Sequence, residues 1–301
     1  MALSYWLRAV RIRFLLASVI SVFLGLSINW WQNATINIEF AILTLGGVIA
    51  LHASVDLLND YWDYKRKIDT ETKRTKFSGG TGVLPEGLLR PSEVYRAGVI
   101  MLIIGASIGS YFVFERGITI AIILGFAIIS IYFYSTRIVD SGLGEVFVAI
   151  KGSMIVLGTY FVQAAQITTE PVLAGIISGV LSSTILFVNS FPDHDADKAH
   201  GRKTLVILLG KPRAASSVWI FPTISYGIIV ISVALHFFPI ISLVTLATIP
   251  IVIKSCKALK QKFDKVEDFV PIMKNFVSYS RVTGILLVAS FIADHFMHAA
   301  K

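Results

Sequence analysis

The sequence predicts an all-α, polytopic membrane protein with nine transmembrane helices. Three observations support this fold class: an apolar composition, nine long apolar stretches, and basic residues confined almost entirely to alternate connections. Hydrophobic residues make up 55% of the 301 positions, charged residues only 15%, and the mean hydropathy is +0.73. Soluble domains carry about 25% charged residues, so this composition argues against a soluble enzyme and against a disordered chain.

A membrane helix needs about 20 mainly apolar residues, and nine stretches of the chain come close to this length. They are 14–31, 38–58, 97–114, 118–136, 145–167, 171–191, 214–235, 237–253 and 276–297. Trp30 and Trp31 close the first stretch as interfacial aromatic residues do, which favours a span over a cleaved signal peptide. Pro239 and Pro250 leave the ends of the eighth span least defined. No low-complexity linker divides the chain, and we expect a single domain over residues 1–301.

The distribution of positive charge orients these spans. Of the 27 Lys and Arg residues, all but Arg116, Lys151 and Lys301 fall on the side that holds the N-terminus. The positive-inside rule therefore predicts a cytoplasmic N-terminus and a C-terminus outside. The net charge of +8 is best matched by anionic lipid headgroups of the bilayer or an anionic substrate, and we expect no nucleic-acid partner.

Two similar acidic motifs follow the predicted cytoplasmic ends of spans 2 and 6. The first contains Asn59 and Asp63, and the second contains Asn189, Asp193 and Asp197. If each helix continues past the apolar stretch, residues four apart share one face. A single motif of this kind is typical of a solvated helix end, whereas two matching motifs on the same side favour a functional site.

The residue types of these motifs indicate a metal–diphosphate site. Clustered carboxylates repel one another and are costly near a membrane, and a hard divalent cation removes that repulsion. Mg²⁺ takes oxygen ligands and commonly shares its shell with substrate phosphates, so two facing motifs favour two Mg²⁺ ions around one diphosphate. Basic residues that can bind phosphate follow both motifs, namely Lys73 and Arg74 after the first and Arg202 and Lys203 after the second.

At these motifs the sequence resembles the UbiA superfamily of intramembrane aromatic prenyltransferases. The residues that carry the resemblance are Asn59-Asp60-Tyr-Trp-Asp63 with Asp69 downstream, Asp193-His-Asp-Ala-Asp197, Gly201-Arg-Lys-Thr204, and Gly142-Leu-Gly144-Glu145. The spacing from Asp63 to Asp69, together with Asn189, is most similar to the branch that prenylates 1,4-dihydroxy-2-naphthoate for menaquinone. The resemblance implies nine helices around a lateral, cytoplasm-facing active-site cavity.

The resemblance also implies a reaction and its ligands. An isoprenoid chain would pass from an allylic prenyl diphosphate to a lipophilic aromatic acceptor through an allylic carbocation. Asn59 and Asp63 would hold one Mg²⁺ ion, and Asp193 and Asp197 would hold the other. Both ions would neutralise the diphosphate and make it a better leaving group.

Four further residues are candidates with two interpretations each. Tyr134 either stabilises the carbocation with its ring or anchors span 4 at the interface. Arg13 either pairs with the diphosphate or is a positive-inside anchor, and Asp60 either deprotonates the acceptor or caps its helix. Lys151, about two turns into span 5, either faces the cavity or extends to the interface.

Some features of the sequence leave other interpretations open. His52 has no partner at metal-ligand spacing, so we expect it to be structural. The segment 78–82 is either a lid over the cavity or a glycine-rich turn. Another acceptor is possible on this sequence: 4-hydroxybenzoate, haem, chlorophyllide or the glycerol phosphate of an ether lipid. A membrane transporter is the rival from a different class, although transporter sites usually lie near the membrane midplane and not at one face.

Overall fold

The computed structural model describes residues 2–68, 75 and 78–299. Within these ranges it is all-helical, with nine helices long and apolar enough to cross a membrane. Numbered 1 to 9 in chain order, the spans are Ile12–Asn33, Ile38–Lys65, Pro91–Arg116, Ile118–Ser141, Gly144–Ala164, Thr169–Ala199, Lys211–Ala234, Ile240–Lys262 and Phe269–His298. The predicted fold class is confirmed.

Spans 2 and 6 extend well past their apolar stretches. They end at Lys65 and Ala199, whereas the apolar patterns end at 58 and 191. The polar extensions remain helical because they pack inside the bundle, with Asp63 and Asp197 buried in it. Both acidic motifs therefore lie on helices, as the i, i+4 argument requires, and both lie at the same end of the bundle. We call this the motif end.

Span 4 changes its helical form at the motif end. The α-helix Ile118–Phe133 is followed by a π-helical turn, Tyr134–Ile138, and by a 3-10 turn, Val139–Ser141. A π-helical turn adds a residue to the repeat and rotates the side chains that follow, and such turns are frequent at functional sites. Tyr134 is the first residue of this turn and faces the space between the spans.

Span 8 departs most from its prediction. It begins with a 3-10 segment, Ile240–Thr248, and continues as the α-helix Ile249–Lys262, nine residues beyond the predicted end at 253. Its last part is amphipathic: Cys256 and Leu259 are fully buried, while lysines occupy the exposed face. Burial of one face keeps the segment helical although its composition no longer resembles a membrane span.

Close packing on glycine joins spans 5 and 6. A Cβ atom added to Gly152 would lie 2.8 Å from the Cα atom of Gly179, so neither position tolerates a side chain without a shift of the backbone. Span 1 packs against the same pair, where Gly25 lies against the backbone of span 5. These contacts fix span 6, and with it the second motif, against span 5.

Smaller helices complete the motif end. The N-terminal helix Ala2–Ala9 precedes span 1, and the backbone reverses between them at Arg11, whose φ is 45°. The short helix Leu205–Leu209 follows span 6, and the Thr204 hydroxyl caps it by accepting from the Ile207 N–H. Arg11 and Arg202, which lie next to these two helices in the sequence, both line the cavity.

Candidate active site

Spans 1 to 6 enclose a cavity of about 390 Å³ whose polar lining lies at the motif end. This volume is typical of a site for a small organic ligand. Deep in the cavity the lining is mainly apolar, with Ile108, Phe112, Ile123 and Leu124 among its residues. The polar end is lined by Arg11, Asn59, Asp63, Tyr134, Asn189, Asp193, Asp197 and Arg202. The cavity thus offers an amphiphilic ligand a charged head site and an apolar chamber.

The two acidic motifs meet through Arg202. Its guanidinium donates one hydrogen bond to Asp63 Oδ1 and another, from Nη1, to Asp197 Oδ1 at 3.0 Å. Within the first motif, Asn59 Nδ2 donates to Asp63 Oδ2 at 3.0 Å, and Asn59 Oδ1 accepts from the Ser135 hydroxyl at 2.9 Å. Residues far apart in the sequence therefore form one connected polar site.

The charges of this site are deeply buried. The side chains of Asp63 and Asp197 are 5% and 6% exposed, and that of Arg202 is 11% exposed. Burial disfavours the charged guanidinium, but the attraction of the two carboxylates outweighs burial and raises the pKa of Arg202. One guanidinium does not neutralise three carboxylates, because Asp193 lines the same end of the cavity. The site keeps negative charge that suits cations.

Two oxygens at the polar end lack a hydrogen-bond donor in the described part of the chain. Asp193 Oδ1 and Asn189 Oδ1 are both buried and unpaired, while Asp193 Oδ2 accepts from the Gly79 N–H at 3.1 Å. A buried oxygen without a partner costs about 1–3 kcal/mol, so such groups usually await a ligand or an ion. Carboxylate and amide oxygens are the donors that Mg²⁺ prefers, and the residues therefore fit this metal.

The candidate metal ligands do not form a compact cage in the described part of the chain. Among the described residues, no group of three or more His, Cys, Asp or Glu side chains lies close enough to hold a metal ion. Mg²⁺ commonly uses only one or two carboxylates and takes its remaining ligands from water and substrate phosphates.

A glycine-rich loop covers the polar end. Ser78, Gly79 and Gly80 line the cavity, and φ is +79° at Gly79 and +70° at Gly80. This left-handed conformation, which favours glycine, turns backbone N–H groups toward the site, and one of them reaches Asp193. The segment is therefore part of the cavity wall, as the lid interpretation expects.

Asp60 does not line the cavity. Its carboxylate accepts from Arg11 Nη2 at 2.6 Å and from the Thr81 hydroxyl, and it is 1% exposed. Asp60 is adjacent to Asn59 and so projects about 100° around the helix from it. These bonds connect Asp60 to the covering loop and to Arg11, on the side of span 2 that does not line the cavity.

Arg8 secures the same loop from the N-terminal helix. Its Nε donates to the Thr81 carbonyl at 2.6 Å, and Nη2 lies 2.7 Å from Glu86 Oε1. The hydrogen bond to Glu86 raises the pKa of Arg8.

Arg13 and Lys203, two further candidates, do not line the cavity. The Arg13 side chain is exposed and does not line the cavity; Arg11, two residues earlier, lies there instead because the backbone reverses at that point. Lys203 is also exposed, and its backbone N–H donates to the Val139 carbonyl at 3.3 Å. Lys73, Arg74 and Asp69 lie outside the described residues. By contrast, Tyr134 and Lys151 both line the cavity.

Two groups to which the sequence assigned no role in the site also lie at or inside it. Glu145 is buried at the start of span 5 and accepts from the Leu205 N–H at 3.2 Å, which holds the segment after the second motif in place. His52 and Asp56 form a second polar cluster inside the cavity. Their spacing to Asn59 and Asp63 follows i, i+4, i+7 and i+11, the pattern of one helix face, so the sequence carried this signal.

Comparison with known proteins decides the family. Residues 14–274 match the UbiA prenyltransferase family. The chain belongs to this family. It is therefore a prenyltransferase, and the transporter interpretation is excluded. Together with the nine apolar helices, membership identifies an integral, multi-pass membrane protein.

Individual relatives are similar over nearly the whole chain. A 1,4-dihydroxy-2-naphthoate octaprenyltransferase of Escherichia coli is 25% identical over 296 residues, which cover 94% of this chain and 93% of the relative. Among solved structures, a UbiA homologue from Aeropyrum pernix superposes with a TM-score of 0.69 at 16% identity, covering 93% of this chain and 97% of that one. A UbiA homologue from Archaeoglobus fulgidus bound to GPP and Mg²⁺ has a TM-score of 0.62 at 14% identity, covering 95% and 99%. At these identities the structural matches establish the shared fold.

Proposed function

We propose that this UbiA-family enzyme transfers an isoprenoid chain from an allylic prenyl diphosphate to an aromatic acceptor in a Mg²⁺-dependent reaction. The observation that carries the proposal is the meeting of the two acidic motifs at the polar end of an otherwise apolar cavity. The activity named for the E. coli relative and the GPP and Mg²⁺ bound to the A. fulgidus homologue support these substrate classes. Our first choice of acceptor is 1,4-dihydroxy-2-naphthoate.

Two Mg²⁺ ions fit the oxygen donors of the two motifs. Asn59 and Asp63 would hold one, and Asp193 and Asp197 would hold the other. The unpaired Asp193 Oδ1 supports this assignment, because it is a buried anionic oxygen with no other described partner. Bound Mg²⁺ would neutralise the diphosphate and so make it a better leaving group.

Groups of the chain itself bind the diphosphate from two further directions. Arg202 presents a planar set of donors between the motifs, which suits bidentate contacts with phosphate oxygens. Arg11 lines the cavity on the side of span 1, and the backbone of Gly79 and Gly80 covers it from the loop. These contacts orient the diphosphate at the mouth and direct the isoprenoid tail into the apolar chamber.

Tyr134 lies between the charged and the apolar parts of the cavity lining. Its side chain lines the cavity and interacts electrostatically with Arg202 and Asp63. Both of these charged residues line the polar end. A tyrosine face attracts a cation, so the ring stabilises the allylic carbocation. The surrounding apolar side chains exclude water that would otherwise capture it.

The proposal includes the arrangement of the chain in the membrane. We propose one domain over residues 1–301, with the N-terminus and both motifs facing the cytoplasm and the C-terminus outside. The basic residues concentrated on the N-terminal side support this orientation. A water-soluble diphosphate product would then leave on the cytoplasmic side.

The test is transfer by the purified protein. Geranyl or geranylgeranyl diphosphate, Mg²⁺ and a panel of acceptors are incubated with the enzyme, and both diphosphate release and product mass are followed. Prenylated 1,4-dihydroxy-2-naphthoate is the expected product. Prenylation of 4-hydroxybenzoate or of a glycerol phosphate alone would overturn the choice of acceptor, and transfer without a divalent cation would overturn the metal assignment.

A further inference from the structure

A second polar cluster lies inside the cavity, deeper than the acidic motifs. It consists of Ser18 from span 1, His52 and Asp56 from span 2, and Lys151 from span 5, and all four line the cavity. The Ser18 hydroxyl and His52 Nδ1 are 2.7 Å apart, and His52 Nε2 lies 3.7 Å from Asp56 Oδ2. We call these residues the inner cluster.

The depth of the inner cluster sets it beside the reacting part of a bound donor. Asp56 precedes Asn59 by three residues, which is about 4.5 Å along the helix, and His52 lies about 6 Å deeper again. A diphosphate held by the motifs at the mouth would bring its first isoprenoid carbons to this level. The inner cluster therefore lies between the metal-binding groups and the apolar chamber.

The inner cluster carries opposite charges at a depth where charge is expensive. The side chains of His52 and Asp56 are only 11% and 14% exposed, and Lys151 reaches the same region from the facing span. Lys151 and Asp56 interact electrostatically. Ionisable residues within membrane spans are costly and typically functional.

One atom of the inner cluster lacks a hydrogen-bond donor. Asp56 Oδ2 is buried and accepts no hydrogen bond from the described residues. His52 Nε2 is too distant to donate effectively at 3.7 Å. The missing partner is a donor: a diphosphate would be repelled by the carboxylate, and an isoprenoid tail has no donor to offer. A hydroxyl group on an arene meets the requirement.

We propose that the inner cluster is the acceptor subsite, in which a ring hydroxyl of the acceptor donates to Asp56 Oδ2. This inference rests on the proposed aromatic prenyl transfer and adds the residues that select the acceptor. Lys151, which lines the same cavity, presents its ammonium group to a second acceptor oxygen, such as a carboxylate. The hydrogen bond to Asp56 increases electron density in the ring, which makes the ring carbon next to the hydroxyl a better nucleophile toward the allylic cation. The C–O bond of the donor breaks to release diphosphate, the ring carbon forms the new C–C bond, and the proton displaced from that carbon leaves with the diphosphate product.

The test compares Asp56→Asn with the wild-type enzyme. We expect kcat/KM for 1,4-dihydroxy-2-naphthoate to fall about 10- to 100-fold, the range for loss of one hydrogen bond to a charged group. The inhibition constant of 1,4-dimethoxy-2-naphthoate, which cannot donate, should change less than threefold, roughly the scatter of a neutral substitution. Asp294→Asn is the matched control, because Asp294 is also a buried aspartate within a span but does not line the cavity.

A second variant and a binding measurement distinguish loss of the acceptor contact from misfolding of the variant. Lys151→Met should also lower kcat/KM for the dihydroxy acceptor, and both variants should bind geranyl thiolodiphosphate with Mg²⁺ as the wild type does. Equal loss of affinity for the dihydroxy and dimethoxy compounds would overturn the inference, as would loss of thiolodiphosphate binding, which would assign the cluster to the donor. A wild-type enzyme that prenylates no hydroxyarene would overturn both this inference and the proposed function.

Discussion

Arg202 gives the sharpest prediction about the candidate site. Its guanidinium is bonded to Asp63 and Asp197, both at most 6% exposed. Arg202→Gln leaves these two carboxylates close together without a cation. Removing one partner of a buried ion pair costs about 3–5 kcal/mol. At about 2–4 °C per kcal/mol, the range for large single domains, the metal-free variant should unfold roughly 6–20 °C below the wild type.

The same carboxylates are proposed metal ligands, so Mg²⁺ should reverse much of this loss. An ion that binds only the folded protein stabilises it by about 2.7 kcal/mol at a hundred times its dissociation constant. Because Arg202 competes with Mg²⁺ for Asp63 and Asp197, the variant should gain more from Mg²⁺ than the wild type gains. Prenyl transfer should nevertheless stay low, since the diphosphate loses its guanidinium contact.

The assay is thermal unfolding of the detergent-solubilised protein with and without Mg²⁺. Arg213→Gln is the matched control, because Arg213 is an exposed arginine at the same end of the bundle. Equal melting temperatures for Arg202→Gln and Arg213→Gln would refute the ion-pair argument. Equal stabilisation of variant and wild type by Mg²⁺ would refute the competition between arginine and metal.

Two further predictions concern the motifs and their orientation. Asp63→Asn and Asp193→Asn should each lower kcat/KM for prenyl transfer at least about 100-fold, and the double variant should lose far less than the product of the two because the motifs act together. Asp195→Asn, at an 83% exposed position, should retain activity, and an active Asp63 or Asp193 variant would contradict the metal assignment. Single cysteines at Lys198 and Thr169 should label from opposite sides of the membrane, and the native cysteine is buried and should not interfere. Labelling of both from one side would contradict the topology.

The sequence was a reliable guide to the spans because an apolar stretch of this length has few alternatives to a membrane helix. It also predicted which motif residues share a face, because helical periodicity extends past the apolar stretch in spans 2 and 6. The prediction was wrong at the end of span 8. Residues 254–262 are rich in lysine, and only the packing of Cys256 and Leu259 against the bundle shows why they stay helical.

Within the candidate site, the limits of the sequence are geometric. Nothing in the residue types distinguishes Arg11 from Arg13, because the choice depends on a left-handed backbone conformation at Arg11. Asp60 is different: its displacement from Asn59 around the helix follows from periodicity alone and argues against a role in the cavity. The inner cluster was missed because His52 was considered singly and not as one position of a stripe that also contains Asp56.

The bridge from Asp63 to Arg202 has a consequence for biogenesis. The two residues are 139 positions apart, and six of the nine spans precede the arginine. At translation rates of about 5–20 residues per second, roughly 7–28 s separate their synthesis. During that interval Asp63 lacks the ion-pair partner that it has in the finished protein, although Arg11, the partner of Asp60, has already been made. The charged end of the cavity therefore cannot be completed before Arg202 has been made, and a ribosome that stalls before Arg202 leaves the first acidic motif without its bridge to the second.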